Sequence, residues 1–577
     1  MRIALAQQNY HIGNFESNTK KIISAIEQAK NEGAELVVFS ELSICGYPPR
    51  DFLEFDDFIN RCYASVDAIR QHTEGIGVII GAPQKNLDAS GKELFNAAWL
   101  LYNREVLGVA QKTLLPTYDV FDEYRYFEPA FEWNTILFKG HRIALTVCED
   151  LWNLGDNPLY RVCPMDILVK QQPDIMINIS ASPFDYDHDE DRKEVIKANV
   201  LKYGLPLVYC NAVGSQTEIV FDGGSLVYDA KGNLLKELDY FKEAFCVMDI
   251  AVGQHQPEQQ NQTRDAQPAI ISAETDNEMR VSKVNDPNRI IDFLTAGNNI
   301  RQIHQALILG IRDYFIKMGF SKAILGSSGG IDSAVVLALA CEALDAENVH
   351  AVLMPSPFST GHSVKDAEQL SKTLDNPYNI IPIEKVYNSF LTSLEPLFKD
   401  MPFSVAEENI QSRSRGNLLM AIANKFGYIL LNTSNKSELA TGYGTLYGDM
   451  AGGLSVLGDV YKTQVYALAK YINRDKETIP LHIITKAPSA ELRPNQKDSD
   501  SLPDYDILDK VLYQYIEKRQ GPKEIMAMGI DPALVNRVLK LVNINEYKRN
   551  QFCPVIRVSS KAFGVGRRMP IVGKYLS

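Results

Sequence analysis

The chain has 577 residues, of which 45% are hydrophobic and 23% are charged, and its formal net charge is −13. At about 100–200 residues per domain, this length predicts two to four domains. The acidic balance argues against nonspecific binding to nucleic acid or to an anionic membrane, because both require a basic face. The cysteines are scattered without a CxxC pair, no apolar run is long enough for a membrane span, and no signal peptide precedes the first strand pattern, so we expect a cytoplasmic protein.

Residues 1–255 alternate short apolar strands with polar helical segments. The predicted strands are 2–7, 35–40, 76–82, 97–102, 142–147, 174–180 and 205–210, with a helix over 17–31 and a hairpin turn near Asn103–Arg104. Several of these strands are apolar throughout, as in a sheet that is covered on both faces.

Three chemically active side chains follow predicted strands in this half. Glu41, Lys112 and Cys148 each come just after a strand, and strand ends can meet at one edge of a sheet. Taken singly, a free cysteine is more often a buried small hydrophobe, and a glutamate or lysine is usually a surface charge. As a set they provide the thiol, base and cation that a nucleophilic cysteine needs.

The segments VVFSELSICGYP, KTLLPTYDVFDEYRYF and CEDLW resemble the nitrilase superfamily over about residues 1–250. The last two segments are similar to the glutaminase domain that is fused to NAD⁺ synthetase. The resemblance implies a four-layer α-β-β-α sandwich in which Cys148 is the nucleophile, Glu41 the general base and Lys112 the support for the tetrahedral oxyanion.

The same resemblance implies residues that hold glutamine. Tyr118 and Ser182 would contact it, and the basic residue that follows the Ser-Pro pair in relatives would here be His188, Arg192 or Lys193. A second acidic residue near the site would be Glu123 or Glu128.

The composition changes after the first half. Residues 254–280 are rich in Gln, Asn, Glu and Pro, which predicts a linker or connecting arm over 256–290. Helical periodicity resumes near residue 291, and the predicted strands 322–326, 349–355, 378–383 and 428–433 follow with helices between them. This βαβ order predicts a second α/β domain over 291–577, built on a doubly wound parallel sheet.

The segment KAILGSSGGIDSAVVLALA reads as a strand, a turn of small residues and a helix. Such a turn lets backbone N–H groups approach an anion at a helix N-terminus. The Walker lysine is absent, so this is not the loop that serves γ-phosphate transfer. A plain strand–turn–helix connection fits this segment equally well. Glu438 and Lys462 lie farther along the chain, near glycines and strand ends. They favour a phosphate-binding loop, because carboxylates and lysines together suit Mg²⁺ and a polyphosphate.

SSGGIDS resembles the PP-loop of the N-type ATP pyrophosphatases, and TSNKSELATGYGTLYGDMAGG, EENIQSRSRGNLLMAIAN and KAPSAELRPNQKDSDSLPDYDILD are similar to NAD⁺ synthetase. The resemblance covers most of residues 300–550. It implies ATP binding by Gly326, Ser327, Ser328, Gly329, Gly330, Ile331, Asp332, Ser333, Thr433 and Lys462. It implies Mg²⁺ on Asp332 and Glu438, and deamido-NAD⁺ on Asn409, Glu438 and Lys548.

Together the two resemblances predict a glutamine-hydrolysing NAD⁺ synthetase. Its substrates would be glutamine, ATP and deamido-NAD⁺, and we expect a homo-oligomer. Two other enzymes stay open at this point: another PP-loop amidotransferase, and a nitrilase-type amidase whose second domain binds nucleotide only to regulate. A noncatalytic nucleotide-binding scaffold is the alternative from a different class, and any glutaminase turnover would exclude it.

Overall fold

The computed structural model describes residues 1–88, 90–154, 159–186, 188–253, 286–494 and 496–576. These residues form two compact units. Unit 1 contains the described residues of 1–184 and 188–253, and unit 2 contains 185–186 and the described residues from 286 onward. The predicted boundary at 255 and the predicted connecting arm up to residue 285 lie outside the described residues.

The described part of unit 1 contains fourteen β-strands and four α-helices. The strands are β1 (Arg2–Gln7), β2 (Leu36–Val38), β3 (Gly77–Lys85), β4 (Leu94–Tyr102), β5 (Glu105–Gln111), β6 (Ile136–Phe138), β7 (His141–Val147), β8 (Ile175–Ser180), β9 (Leu207–Asn211), β10 (Val213–Gln216), β11 (Ile219–Asp222), β12 (Leu226–Tyr228), β13 (Leu234–Glu237) and β14 (Ala244–Asp249). The helices are α1 (Phe15–Asn31), α2 (Asp56–Arg70), α3 (Pro164–Leu168) and α4 (His188–Tyr203).

Two six-stranded sheets form the centre of unit 1. Their strand orders are β14-β1-β2-β3-β4-β5 and β13-β12-β9-β8-β7-β6, and β10 and β11 form a separate antiparallel pair. Ile3 and Leu5 of β1 pack with Ile177 of β8 in the core between the sheets, whereas Ala4 and Ala6 face the opposite side. Both faces of β1 are therefore buried, and this is why its sequence is apolar without alternation.

Helices cover the outer faces of both sheets. Ile22 and Ile26 of α1 pack in one core with Val37 of β2, and Ile196 of α4 packs with Met176 of β8 in another. This arrangement confirms the predicted four-layer α-β-β-α sandwich.

The predicted hairpin near Asn103–Arg104 is also confirmed. It joins β4 to β5, which pair antiparallel, and both turn residues have positive φ angles of 50° and 66°. Two consecutive positive φ angles are typical of a type I′ turn, whose twist matches that of the strands. β4 is longer than predicted, because it begins at Leu94 and carries the polar Asn96 within its apolar run.

Unit 2 contains a five-stranded sheet and its helices. The strands are β15 (Ala323–Gly326), β16 (Val349–Leu353), β17 (Tyr378–Ile380), β18 (Ile429–Asn432) and β19 (Leu454–Ser455). The helices are α5 (Ile290–Leu294), α6 (Gly297–Met318), α7 (Ile331–Leu344), α8 (Gly361–Leu374), α9 (Glu384–Phe398), α10 (Val405–Phe426), α11 (Lys436–Thr441), α12 (Lys462–Ile472), α13 (Leu481–Thr485), α14 (Tyr505–Ile516), α15 (Pro522–Ala527), α16 (Pro532–Ile544) and α17 (Glu546–Arg549).

All neighbouring strands of this sheet are parallel, in the order β17-β16-β15-β18-β19. From β15 the chain adds β16 and β17 on one side. It then crosses to the other side of β15, where it adds β18 and β19. Doubly wound sheets bind ligands at this switch point, outside the carboxyl ends of the central strands. The predicted parallel sheet is confirmed, and its switch point lies between β15 and β18. Among the described residues, no helix combines the length and apolarity that a bilayer crossing requires.

Candidate active sites

The structure places Glu41, Lys112 and Cys148 at strand ends in unit 1. Glu41 follows β2, Lys112 directly follows β5, and Cys148 directly follows β7. Their exposed fractions are 1%, 0% and 5%. Two of the three are charged and almost completely buried, which is rare unless such residues are paired or functional.

Lys112 lies between two carboxylates. Its Nζ donates to Glu41 Oε1 at 2.8 Å and to Glu123 Oε1 at 2.7 Å. Burial alone would lower the pKa of Lys112, but Glu123 and Glu41 raise it well above its usual value. Burial raises the pKa of Glu123, and Glu41 adds to that rise against the opposing effect of Lys112. The cluster thus keeps a permanent cation beside Cys148.

Glu123, rather than Glu128, is the second acidic residue at this site. It begins a short 3-10 helix and also accepts a hydrogen bond of 2.7 Å from the hydroxyl of Tyr47. Glu128 instead accepts the backbone N–H of Lys92 at 2.8 Å.

Cys148 directly follows β7 and is the first residue of a short 3-10 helix over Cys148–Leu151, so it lies at a sharp turn. Its φ of 44° is unusual for a residue with a side chain. The carboxylate of Asp150 stabilises this turn, because it accepts the N–H of Val147 at 3.1 Å and those of Thr113 and Leu114 at 3.0 and 2.9 Å. One buried carboxylate therefore connects the cysteine turn to the segment that follows Lys112.

The thiol of Cys148 is held in its protonated form. Burial raises its pKa well above the usual value, the negative charge of Glu41 raises it further, and Lys112 acts in the opposite direction. A buried thiol of this kind becomes a nucleophile only when a base removes its proton as it attacks. Glu41 is a carboxylate in the same cluster that can do so.

The predicted glutamine contacts adjoin this cluster. Tyr118 donates its hydroxyl to both carboxylate oxygens of Glu149, the neighbour of Cys148, at 3.1 and 3.0 Å. Burial raises the pKa of Glu149 to about 7. Ser182 follows Ala181, whose N–H donates to Glu41 Oε2 at 2.9 Å.

Two of the three candidate basic residues for the glutamine site, Arg192 and Lys193, are held by carboxylates. Arg192 is almost fully buried and forms a two-pronged ion pair with Asp222, at 2.8 and 2.6 Å. Lys193 pairs with Glu237 at 2.7 Å. The side chain of His188 lies outside the described residues.

The predicted phosphate loop of unit 2 joins β15 to α7 at the switch point. It borders a cavity of about 290 Å³. Gly329 has a φ of 78°, and a Cβ there would lie 2.2 Å from the carbonyl oxygen of Ser363, so no side chain fits. The buried Ser327 Oγ has no hydrogen-bond partner among the described residues.

Two carboxylates in this cavity share one lysine. Lys462 Nζ lies 2.5 Å from Asp332 Oδ2 and 3.4 Å from Glu438 Oε1. Asn435 connects the same pair, because its side-chain amide donates to Asp332 at 2.8 Å and its Oδ1 accepts the N–H of Glu438 at 2.9 Å. Burial, followed by the charge of Asp332, raises the pKa of Glu438 to about 8. Glu438 therefore carries its full negative charge only when a further cation is bound beside it.

This donor set fits Mg²⁺ that is bound together with phosphates. Mg²⁺ commonly takes one or two protein carboxylates and completes its shell with water and substrate oxygens. Asp332 and Glu438 supply the two carboxylates. Among the described residues, no group of three or more His, Cys, Asp and Glu side chains is placed to hold a metal ion by itself.

The remaining predicted ligand residues border the cavity or hold one of its loops. Thr433 follows β18 and lines the cavity. Asn409 Oδ1 accepts the hydroxyl of Thr445 at 2.8 Å, and Lys548 Nζ donates to the carbonyl oxygens of Gly442 and Gly444 at 2.8 and 2.9 Å. Asn409 and Lys548 thus hold the same glycine-containing loop.

Sequence reasoning missed Asn96, Asp150 and Asn435. A polar residue inside the apolar β4 run was a usable signal for Asn96. The spacing of Asn435 and Glu438 matches a capping box, in which a side chain caps the first turn of a helix, and α11 begins in this way. Nothing in the local sequence indicated that Asp150 would reach the segment after Lys112.

Comparison with known proteins identifies both units. Residues 2–257 match the carbon-nitrogen hydrolase family model, and residues 303–552 match the NAD synthase family model. The chain is 42% identical to a glutamine-dependent NAD(+) synthetase of Synechocystis sp. over 99% of this chain and 98% of the relative. It is 39% identical to one of Thermotoga maritima over 100% and 99%.

Two solved structures are similar over the whole chain. The glutamine-dependent NAD⁺ synthetase of Acinetobacter baumannii, solved in complex with adenosine diphosphate, has a TM-score of 0.72 and 36% identity, with 99% of this chain and 98% of that chain covered. The glutamine-dependent NAD(+) synthetase of Cytophaga hutchinsonii has a TM-score of 0.79 at 20% identity, with the same coverage, and supports the fold alone.

Proposed function

The chain belongs to the glutamine-dependent NAD⁺ synthetase family, and on this basis we propose a residue-level division of labour between its two units. The protein is a carbon–nitrogen ligase that amidates deamido-NAD⁺ to NAD⁺ with ATP, and the nitrogen comes from glutamine. One observation carries the proposal. The same chain combines a buried Glu–Lys–Glu cluster beside a cysteine turn with a two-carboxylate, one-lysine cavity at a switch point.

Unit 1 releases ammonia from glutamine. Glu41 takes the proton of the Cys148 thiol as the sulfur attacks the side-chain carbonyl carbon, and Lys112 stabilises the resulting oxyanion. The C–N bond then breaks, and Glu41 returns the proton to the departing nitrogen, which leaves as ammonia. Glu41 next activates a water molecule, which cleaves the thioester to glutamate and the free thiol.

Unit 2 activates the acid and forms the amide. A carboxylate is a poor acyl donor, because its leaving group would be oxide. An oxygen of the nicotinate carboxylate therefore attacks the α-phosphorus of ATP, and diphosphate leaves. Ammonia then attacks the acyl carbon, and AMP leaves. Gly326–Ser333 and Lys462 hold the phosphates in position and stabilise their charge.

Mg²⁺ held by Asp332 and Glu438 would neutralise phosphate charge in this cavity. A bound cation would also favour the ionised form of Glu438, whose pKa burial and Asp332 otherwise raise to about 8. We expect the remaining predicted contacts, Thr433 with ATP and Asn409 and Lys548 with deamido-NAD⁺, to act at the same cavity.

The assay that separates this activity from the alternatives follows AMP and diphosphate. We expect the purified protein to release both in amounts equal to the NAD⁺ formed, and only when deamido-NAD⁺ is present. An amidase with a regulatory nucleotide domain would instead hydrolyse glutamine and leave ATP intact. Release of AMP with xanthylate or aspartate and not with deamido-NAD⁺ would assign the chain to another PP-loop amidotransferase.

We further propose that the protein acts in the cytoplasm as a homo-oligomer, with no nucleic-acid or membrane partner. Light scattering of the purified chain tests the assembly, because a monomer across the working concentration range would contradict it.

A further inference from the structure

Asn96 lies within β4 and is fully buried. Its side-chain amide donates to the carboxylates of both Glu41 and Glu123. Its Nδ2 is 2.7 Å from Glu41 Oε1 and 3.3 Å from Glu123 Oε2. Asn96 is thus a neutral side chain that contacts both of the acids that flank Lys112.

The orientation of the Asn96 amide follows from its neighbours. Its Oδ1 is buried and has no hydrogen-bond partner among the described residues. The reverse orientation would direct that oxygen at two carboxylates, which is repulsive. A buried amide oxygen without a partner is destabilising, so the fold retains Asn96 against a cost in stability.

The backbone of Asn96 holds the same cluster. Its carbonyl oxygen accepts the N–H of Lys112 at 2.7 Å. The Lys112 side chain then returns to Glu41 Oε1, the oxygen to which the Asn96 amide donates. Asn96 therefore constrains both the backbone of Lys112 and the Glu41 carboxylate with which the Lys112 side chain pairs.

Glu41 faces a crowded set of titratable groups. Lys112, Glu123, Cys148 and Tyr47 all lie within electrostatic reach of it. Two acids and one cation leave an excess of negative charge, and such pairs tend to share a proton. A neutral donor that reaches both acids stabilises their ionised forms without adding a second cation.

We propose that Asn96 is a positioning residue for glutamine hydrolysis: its amide holds the Glu41 carboxylate in the orientation from which it acts as the base for Cys148. The inference depends on the proposed role of Glu41. It predicts that loss of the donor moves proton uptake by the cluster to higher pH, because hydrogen bonds to a carboxylate favour its charged form. Glutamine binding itself would change little, since Asn96 acts through Glu41.

The test compares Asn96→Ala and Asn96→Asp with Asn18→Ala in the full-length protein. Asn18 is a matched control, because it is buried in the same unit and its amide donates to two neutral carbonyl oxygens, those of His11 and Ile44. Glutamate release is measured against pH and glutamine concentration. Ammonia-supported NAD⁺ formation reports whether each variant is folded.

We expect Asn96→Ala to lower kcat for glutamine by about tenfold or more and to move the acid limb of kcat/KM upward by about one pH unit. KM for glutamine should change by less than about threefold. Asn96→Asp keeps the shape but loses the donor when ionised, so it should lose at least as much kcat. Asn18→Ala should leave the pH profile in place.

Two outcomes would overturn the inference. In one, Asn96→Asp keeps more than half of the glutaminase activity. In the other, the Asn96→Ala profile coincides with that of Asn18→Ala. Failure of the proposed function is distinguishable from both, because wild-type glutamate release would then persist after replacement of Cys148.

Discussion

At the scale of single residues, charge and burial determine what the two sites can do. Cys148 is a buried thiol with a raised pKa, so its reactivity depends on a base and not on a resting thiolate. Glu438 has a pKa raised to about 8 by burial and by Asp332. At both sites burial therefore disfavours the ionised form of a group, and a base, a substrate or a cation is needed to reach that form.

Asp332 is a single carboxylate that contacts both Lys462 and Asn435 at the phosphate cavity. Asp332→Ala should abolish NAD⁺ formation from either glutamine or ammonium, since both routes need the activated acid. NAD⁺ formation by chromatography is the measurement. Glu347→Ala removes an exposed carboxylate of the same unit and should leave synthesis unchanged. Retained synthesis in Asp332→Ala would show that its role in metal and phosphate binding is wrong.

At the scale of secondary-structure elements, short connections position the proposed catalytic groups. Asp150 joins the turn after β7 to the segment after β5 through three backbone N–H groups. Those strands belong to different sheets. The proposed nucleophile and the segment after the proposed supporting lysine are thus held together by one carboxylate, which need not contact substrate itself.

Asp150→Asn tests this connection. The amide keeps the shape of the side chain but replaces one accepting oxygen by an NH₂ group, which then faces a backbone N–H. Opposed donors in a buried position should lower the free energy of unfolding by about 1–3 kcal/mol and reduce glutaminase activity together with it. Denaturant unfolding and glutamate release are the measurements. Asp249→Asn, at an exposed carboxylate of β14, is the control. Unchanged stability and activity in Asp150→Asn would contradict the connecting role.

At the scale of the whole molecule, much of the architecture was predictable and the fine pairing was not. Apolar strands and βαβ order predicted the sheets, and strand ends indicated Glu41, Lys112 and Cys148. The choice between Glu123 and Glu128 depended on one turn of a 3-10 helix, which local composition does not determine. Asn96 reaches Glu41 only through strand register across a sheet, and register depends on packing that is distant in sequence.

The central claim is that one unit supplies ammonia and the other consumes it. Cys148→Ala tests it most directly when NAD⁺ formation is measured with glutamine and, separately, with an ammonium salt. Cys62→Ala is the matched control, because it truncates another buried cysteine of unit 1 and should keep both activities. For Cys148→Ala we predict that glutamine-dependent synthesis is lost and ammonium-dependent synthesis stays within about twofold of wild type. Loss of both activities in a folded protein, or survival of the glutamine-dependent one, would contradict the account.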